Sequence, residues 1–198
     1  LKLFSATYTG KTWTNIQELP FNSDSYSCGH PAISENGELL FFVSDMPGGF
    51  GGTDVYYSVF SNGNWSKPIN AGPKINTQGD EMFPFLDASG NLYFSTDGLP
   101  GLGSLDLFVA RINLVTKEVV SPVRNLGAPL NSQYDDFGLI TDSTRSLGFF
   151  SSNRKKGGSD DDIYSFTRVG PIFGCREVVI TVKNATTKKS IDNLRFSY

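Results

Sequence analysis

The run Leu39-Leu40-Phe41-Phe42-Val43-Ser44-Asp45, with Gly48-Gly49-Phe50-Gly51-Gly52-Thr53-Asp54-Val55-Tyr56 after it, decides the fold because it recurs. Its second copy is Leu92-Tyr93-Phe94, Thr96-Asp97 and Gly101-Leu102-Gly103-Ser104-Leu105-Asp106-Leu107-Phe108. Its third is Leu147-Gly148-Phe149-Phe150, Ser152-Asn153 and Gly157-Gly158-Ser159-Asp160-Asp161-Asp162-Ile163-Tyr164. Ahead of each lies another short apolar segment, beginning at His30, Phe83 and Phe137 and so spaced by 53 and 54 residues. Polar turns join the two: Glu35-Asn36-Gly37, Ala88-Ser89-Gly90 and Asp142-Ser143-Thr144. Behind the first two copies a fourth segment follows, Trp65–Ile69 and Val119–Val123, leading to Gly72-Pro73-Lys74-Ile75-Asn76 and Gly127-Ala128-Pro129-Leu130-Asn131.

Short β-branched and aromatic runs split by Gly, Asn, Asp and Pro predict strands, and no segment keeps a helical period. Four strands in about 50 residues, repeated in tandem, predict the blades of an all-β propeller, each a four-stranded antiparallel sheet. A stacked solenoid is the alternative architecture. Upstream, Leu3–Ala6, Thr12–Ile16 and Leu19–Asn22 match the back half of a further repeat. The expectation is about three and a half blades over residues 1–170. That number is too small to close a ring, so further blades are expected from upstream sequence or another chain. Beyond Gly170-Pro171 the repeat stops. Residues 171–198 read as a linker and the start of a β-sandwich, with a strand over Cys175–Val182 completing the last blade as the alternative.

Composition excludes several classes. A formal charge of -3 and no basic run beyond Arg154-Lys155-Lys156 give no footprint for nucleic acid. No apolar stretch reaches the length of a membrane helix. Cys28 and Cys175 fit no metal spacing; they form a candidate disulfide, with two separate buried thiols as the equal alternative.

Catalytic sets are missing too. The single histidine, His30, holds a repeat position shared with phenylalanines and reads as structural. Asp80, Glu81, Asp135 and Asp136 recur in register, which points to loop bracing, because a catalytic pair breaks the symmetry of a repeat. Asp54, Asp106 and Asp162 read as caps of tight turns, since their loops offer too few oxygens for Ca²⁺. Gly10-Lys11-Thr12-Trp13 matches the tail of a sialidase Asp box once, with Thr7 in place of the acid. No cofactor, metal or catalytic residue is expected. Contacts with partners are expected from non-repeating loop residues, Met46, Phe50, Leu102, Arg154, Lys155 and Lys156, because loops on a rigid scaffold carry binding.

The Ser44-Asp45 and Gly51–Tyr56 pattern, Ser151–Arg154 with Asp161–Tyr164, and the exit loop Asn125–Asn131 resemble WD-repeat-like propellers related to that of TolB. They are most similar to the propeller of OmpA-family outer-membrane lipoproteins of the Bacteroidota. In that family the propeller follows helical repeats and precedes a carboxypeptidase-regulatory-like sandwich and a peptidoglycan-binding domain. The resemblance implies a non-catalytic, periplasmic, outer-membrane-associated scaffold for protein partners, in a type IX secretion complex. It also implies contact with peptidoglycan only through a domain outside these residues. Carbohydrate binding or processing is the alternative function, and self-association through blade edges a third. Asp142-Ser143-Thr144 matches the short O-glycosylation pattern of exported proteins in that phylum, and also an ordinary polar turn.

Overall fold

Alternating apolar residues on the repeat's central strand have two faces to bury, and each sheet buries them against its neighbours. A computed structural model describes residues 1–155, 160–170 and 172. The half-repeat forms β1 (Phe4–Tyr8) and β2 (Trp13–Glu18). Blade 1 follows, with β3 (Cys28–Ile33), β4 (Leu39–Ser44), β5 (Asp54–Ser61), β6 (Asn64–Trp65) and β7 (Ile69–Asn70). Blade 2 contains β8 (Glu81–Leu86), β9 (Asn91–Thr96), β10 (Asp106–Arg111) and β11 (Arg124–Asn125). Blade 3 contains β12 (Asp136–Thr141), β13 (Leu147–Ser152) and β14 (Asp162–Thr167). Every pairing is antiparallel, and the described sheets do not close into a ring.

The fourth strand is shorter than the sequence predicts. Pro68 splits the first copy into β6 and β7, both on β5, and Pro122 leaves only Arg124–Asn125 and an isolated Ile112–Val119 bridge in the second. A proline has no N–H for the ladder, so the outermost strand is where it is tolerated.

The register of the third repeat also differs by one residue from the alignment on Phe137. Cys28, Glu81 and Asp136 each open a first strand and pair with Ser44, Thr96 and Ser152. Two residues on, each strand bulges, and His30, Phe83 and Gly138 take φ of 47°, 51° and 65°. Phe137 therefore sits one place before the bulge. Glycine takes that backbone freely, whereas His30 and Phe83 are strained there.

Between blades 1 and 2 lies an apolar core that includes Leu39, Phe41, Val55, Leu92, Phe94 and Ile112. A second cluster joins Leu3, Leu19 and Phe21 of the half-repeat to Cys28, Leu40, Phe42 and Tyr56. Leu1–Arg168 make up one compact unit. The tail strands, and with them the sandwich start and its alternative, lie outside the described residues.

Candidate functional site

Each Gly-rich loop is tied down by side chains that recur from blade to blade. Asn76 Oδ1 accepts from Val55 N–H at 2.8 Å, and its Nδ2 donates to Val55 O at 2.9 Å and to Asn70 Oδ1 at 2.7 Å. Asn131 repeats this on Leu107 at 2.8 and 2.9 Å, with Asn125 Oδ1 at 2.7 Å. The amide thus replaces a strand neighbour for the third strand's first residues, which a two-residue fourth strand leaves uncovered. Asn22 supplies the same clip to Leu3.

The acids ahead of each strand are internal braces. Asp54 Oδ2 accepts from Phe50 N–H at 2.6 Å, and Asp106 Oδ2 accepts from Leu102 and Gly103 N–H. These are the turn caps expected from the sequence. Between blades, Thr53 N–H donates to Asp80 and Leu105 N–H to Asp135, while Asp80 and Asp135 N–H donate to Asp97 and Asn153. Glu81 and Asp136 are fully buried. Glu81 accepts from Thr77 N–H and from the hydroxyls of Thr77 and Thr96, while burial pushes its carboxyl above the usual range. Asp136 accepts from Ser132 and forms an ion pair with Arg154 at 2.5 Å.

The expected contact residues separate into two kinds. Phe50 and Leu102 stand out at the loop tips, 46% and 55% exposed. Lys155 is also outward, 3.5 Å from Asp162 and over the Tyr164 ring. Met46 instead packs on the half-repeat cluster. Arg154 is held within the fold: it pairs with Asp136, donates to the carbonyls of Pro129 and Leu130, and lies 5.0 Å from the Phe150 and Tyr164 rings. Lys156 lies outside the described residues. So does Cys175, the other half of the candidate disulfide; Cys28 is buried with its thiol 3.7 Å from Ser44 Oγ, and burial raises its pKa.

His30 is part of a ring stack the sequence did not announce. Its imidazole lies 4.0 Å from the Phe83 ring at 12°, and Phe83 lies 4.9 Å from Phe137. Phe83 N–H donates to His30 Nδ1 at 3.3 Å, and burial holds the imidazole's pKa below its ordinary value. A histidine whose face and Nδ1 are both engaged serves packing. At the turn end of blades 1 and 2 there is a hollow of about 350 Å³, lined in part by Glu35, Glu38, Asp87 and Lys117. Both Asp87 oxygens already accept donors from its own turn. Among the described residues no group of acids, histidines and cysteines is arranged to hold a metal.

Solved structures match this architecture. TolB from Acinetobacter baumannii superposes with a TM-score of 0.53 at 10% identity, over 84% of this chain and 35% of that one. A TolB from Agrobacterium tumefaciens matches 83% of this chain and 70% of that one at 10% identity, with a TM-score of 0.43. A puromycin-hydrolysing peptidase of Mycobacterium tuberculosis matches 69% of this chain and 27% of that one at 17% identity, with a TM-score of 0.38. The fold is a TolB-like β-propeller. This chain spans about a third of the length of the Acinetobacter protein. No protein-family model and no curated protein matches the chain in sequence.

Proposed function

We propose that this chain is part of a non-catalytic propeller that binds protein partners in the periplasm. The observation that carries the reading is the use of its polar groups. In blades 1 and 2 the recurring acids and amides bond backbone of their own or the next blade, and the lone histidine is stacked. Outward at the tips of the Gly-rich loops of blades 1 and 2 stand two apolar side chains, Phe50 and Leu102, which suit a protein surface.

The resemblance of the blade and exit-loop motifs extends the reading. On it, the chain belongs with outer-membrane lipoproteins such as PorE of the type IX secretion system, and meets peptidoglycan only through a further domain. Additional blades, from the same polypeptide or a partner, would complete the ring. The competing reading is glycan binding or hydrolysis through the aromatic and acidic loop residues.

Site-specific photocrosslinking from positions 50 and 102, in cells making the native protein, separates the two. The expected result is a discrete protein adduct from each position, that from 50 being lost with Leu102→Glu and that from 102 with Phe50→Glu. Saturable binding or turnover of a glycan, abolished by one loop carboxylate change, would replace this reading with its rival.

A further inference from the structure

The tight turns between first and second strands close alike in the three blades. Gly37, Gly90 and Arg145 each donate N–H to the carbonyl three residues earlier, at φ of 73°, 80° and 60°. Only the third of them carries a side chain, and that side chain crosses a seam. Arg145 Nη1 donates to Ser89 Oγ in the turn of blade 2, and its Nε lies out of solvent. A guanidinium thus bridges the turns of blades 2 and 3.

Between the corresponding turns of blades 1 and 2 lies the hollow of about 350 Å³, a volume in the range of small-ligand sites. Here the turn of blade 2 closes on Gly90, which brings no side chain. Nor is there room for one to start, since a Cβ on Gly90 would sit 2.5 Å from Ile112 O and 3.3 Å from Leu114 Cγ. The position that supplies the bridging arginine at one seam cannot supply it at the other.

The walls of the hollow suit a cation on an aliphatic stem. Leu39 and Leu86, both buried, form its apolar side together with Leu114. Glu35 and Glu38 stand exposed on the blade 1 turn, where the turn of blade 2 has the neutral Ala88 and Ser89. Asp87 adds negative charge but no free acceptor, because its oxygens are held by its own turn. Among the described residues Lys117 is the one cation of the lining, and its Nζ donates to Leu114 O on its own hairpin. Three carboxylates therefore face one ammonium that is already engaged.

We propose that this hollow receives an arginine side chain from a protein partner, with its guanidinium on Glu35 and Glu38 and its methylenes on Leu39, Leu86 and Leu114. Guanidinium pairs with carboxylates through charge-assisted bonds, and its stem buries readily against apolar side chains. The inference rests on the reading of the chain as a partner-binding propeller and adds a second contact to it. The β3–β4 turn and the Gly-rich loop that carries Phe50 lie at opposite ends of β4, so the two contacts are separate.

Titration of the whole 198-residue chain with acetyl-Gly-Arg-Gly-amide, followed by ¹H–¹⁵N NMR, tests it. Saturable shifts are expected at the amides of Glu35, Glu38, Ala88 and Leu114, with those of Phe50 and Leu102 unmoved. The same peptide with citrulline, neutral and nearly isosteric, should bind about fivefold more weakly or worse. The arginine peptide should lose as much on a chain carrying Glu35→Gln and Glu38→Gln, two exposed positions whose change leaves the fold intact. A lack of saturable shifts overturns the proposal, as does equal binding of the citrulline peptide or of the double variant. Tighter binding of butylguanidinium than of the peptide would make a free small cation the ligand and overturn the assignment to a partner. Crosslinking from positions 50 and 102 reads the other contact separately. Shifts without adducts keep the hollow and remove the loop tips; adducts without shifts do the reverse.

Discussion

The two seams of this array teach how one repeat can fold by two kinds of interaction. At the first, Phe41 is 1% exposed in a core of aliphatic and aromatic residues, and the buried acid Glu81 is satisfied by neutral threonines. At the second, the place of Phe41 is taken by Tyr93, and the buried acid Asp136 is neutralised by Arg154. The apolar seam depends on filled volume, whereas Asp136 depends on the charge that faces it. The backbone framework is common to both, because the asparagine clips and aspartate caps act on main-chain groups whatever the side chains in between.

That contrast can be broken from either side. The largest effect is expected from Phe41→Ala, which opens a cavity in the dry seam. A loss of about 3–5 kcal/mol in unfolding by denaturant is predicted. Arg154→Ala attacks the polar seam by leaving the fully buried Asp136 unpaired, and about 3 kcal/mol should be lost. Denaturant midpoints measure both.

The smallest effect concerns the ring stack that runs through all three blades. Burial keeps the His30 pKa below its ordinary value of 6.5, so the folded chain prefers the neutral ring. The resulting stability is present above about pH 6.5 and is lost as pH falls toward the folded value. In His30→Phe, which matches Phe83, this part of the acid sensitivity should vanish. Midpoints that keep the same pH slope between 7 and 5 would show that the stack is indifferent to His30 protonation.

Much of the fold was legible in the sequence because it is written three times. Periodic apolar runs, glycine-rich turns and the aspartates after them identified the strands, and the capping role of Asp54 and Asp106 followed from chemistry local to one loop. The short fourth strand was less legible, although Pro68 and Pro122 carried the signal. The one-residue offset at Phe137 was hidden because aromatic character survived while the bulge moved onto Gly138. Arg154 looked like a loop-tip cation, since nothing in its neighbourhood announces that Asp136, eighteen residues earlier, ends beneath it.

The sequence by itself determined the class of fold, the blade as its unit and the use of acids as braces, because these depend on residues within one turn or one strand. Only the tertiary structure decided which face of each strand meets which neighbour, and therefore that Leu39, Phe41 and Val43 enter an apolar core while Asn91, Tyr93 and Ser95 hold the equivalent positions of the next blade. The reason is physical. A strand's pattern says that both faces are buried, but a buried tyrosine or arginine acquires its role from the groups across the seam, and those come from a blade some fifty residues away.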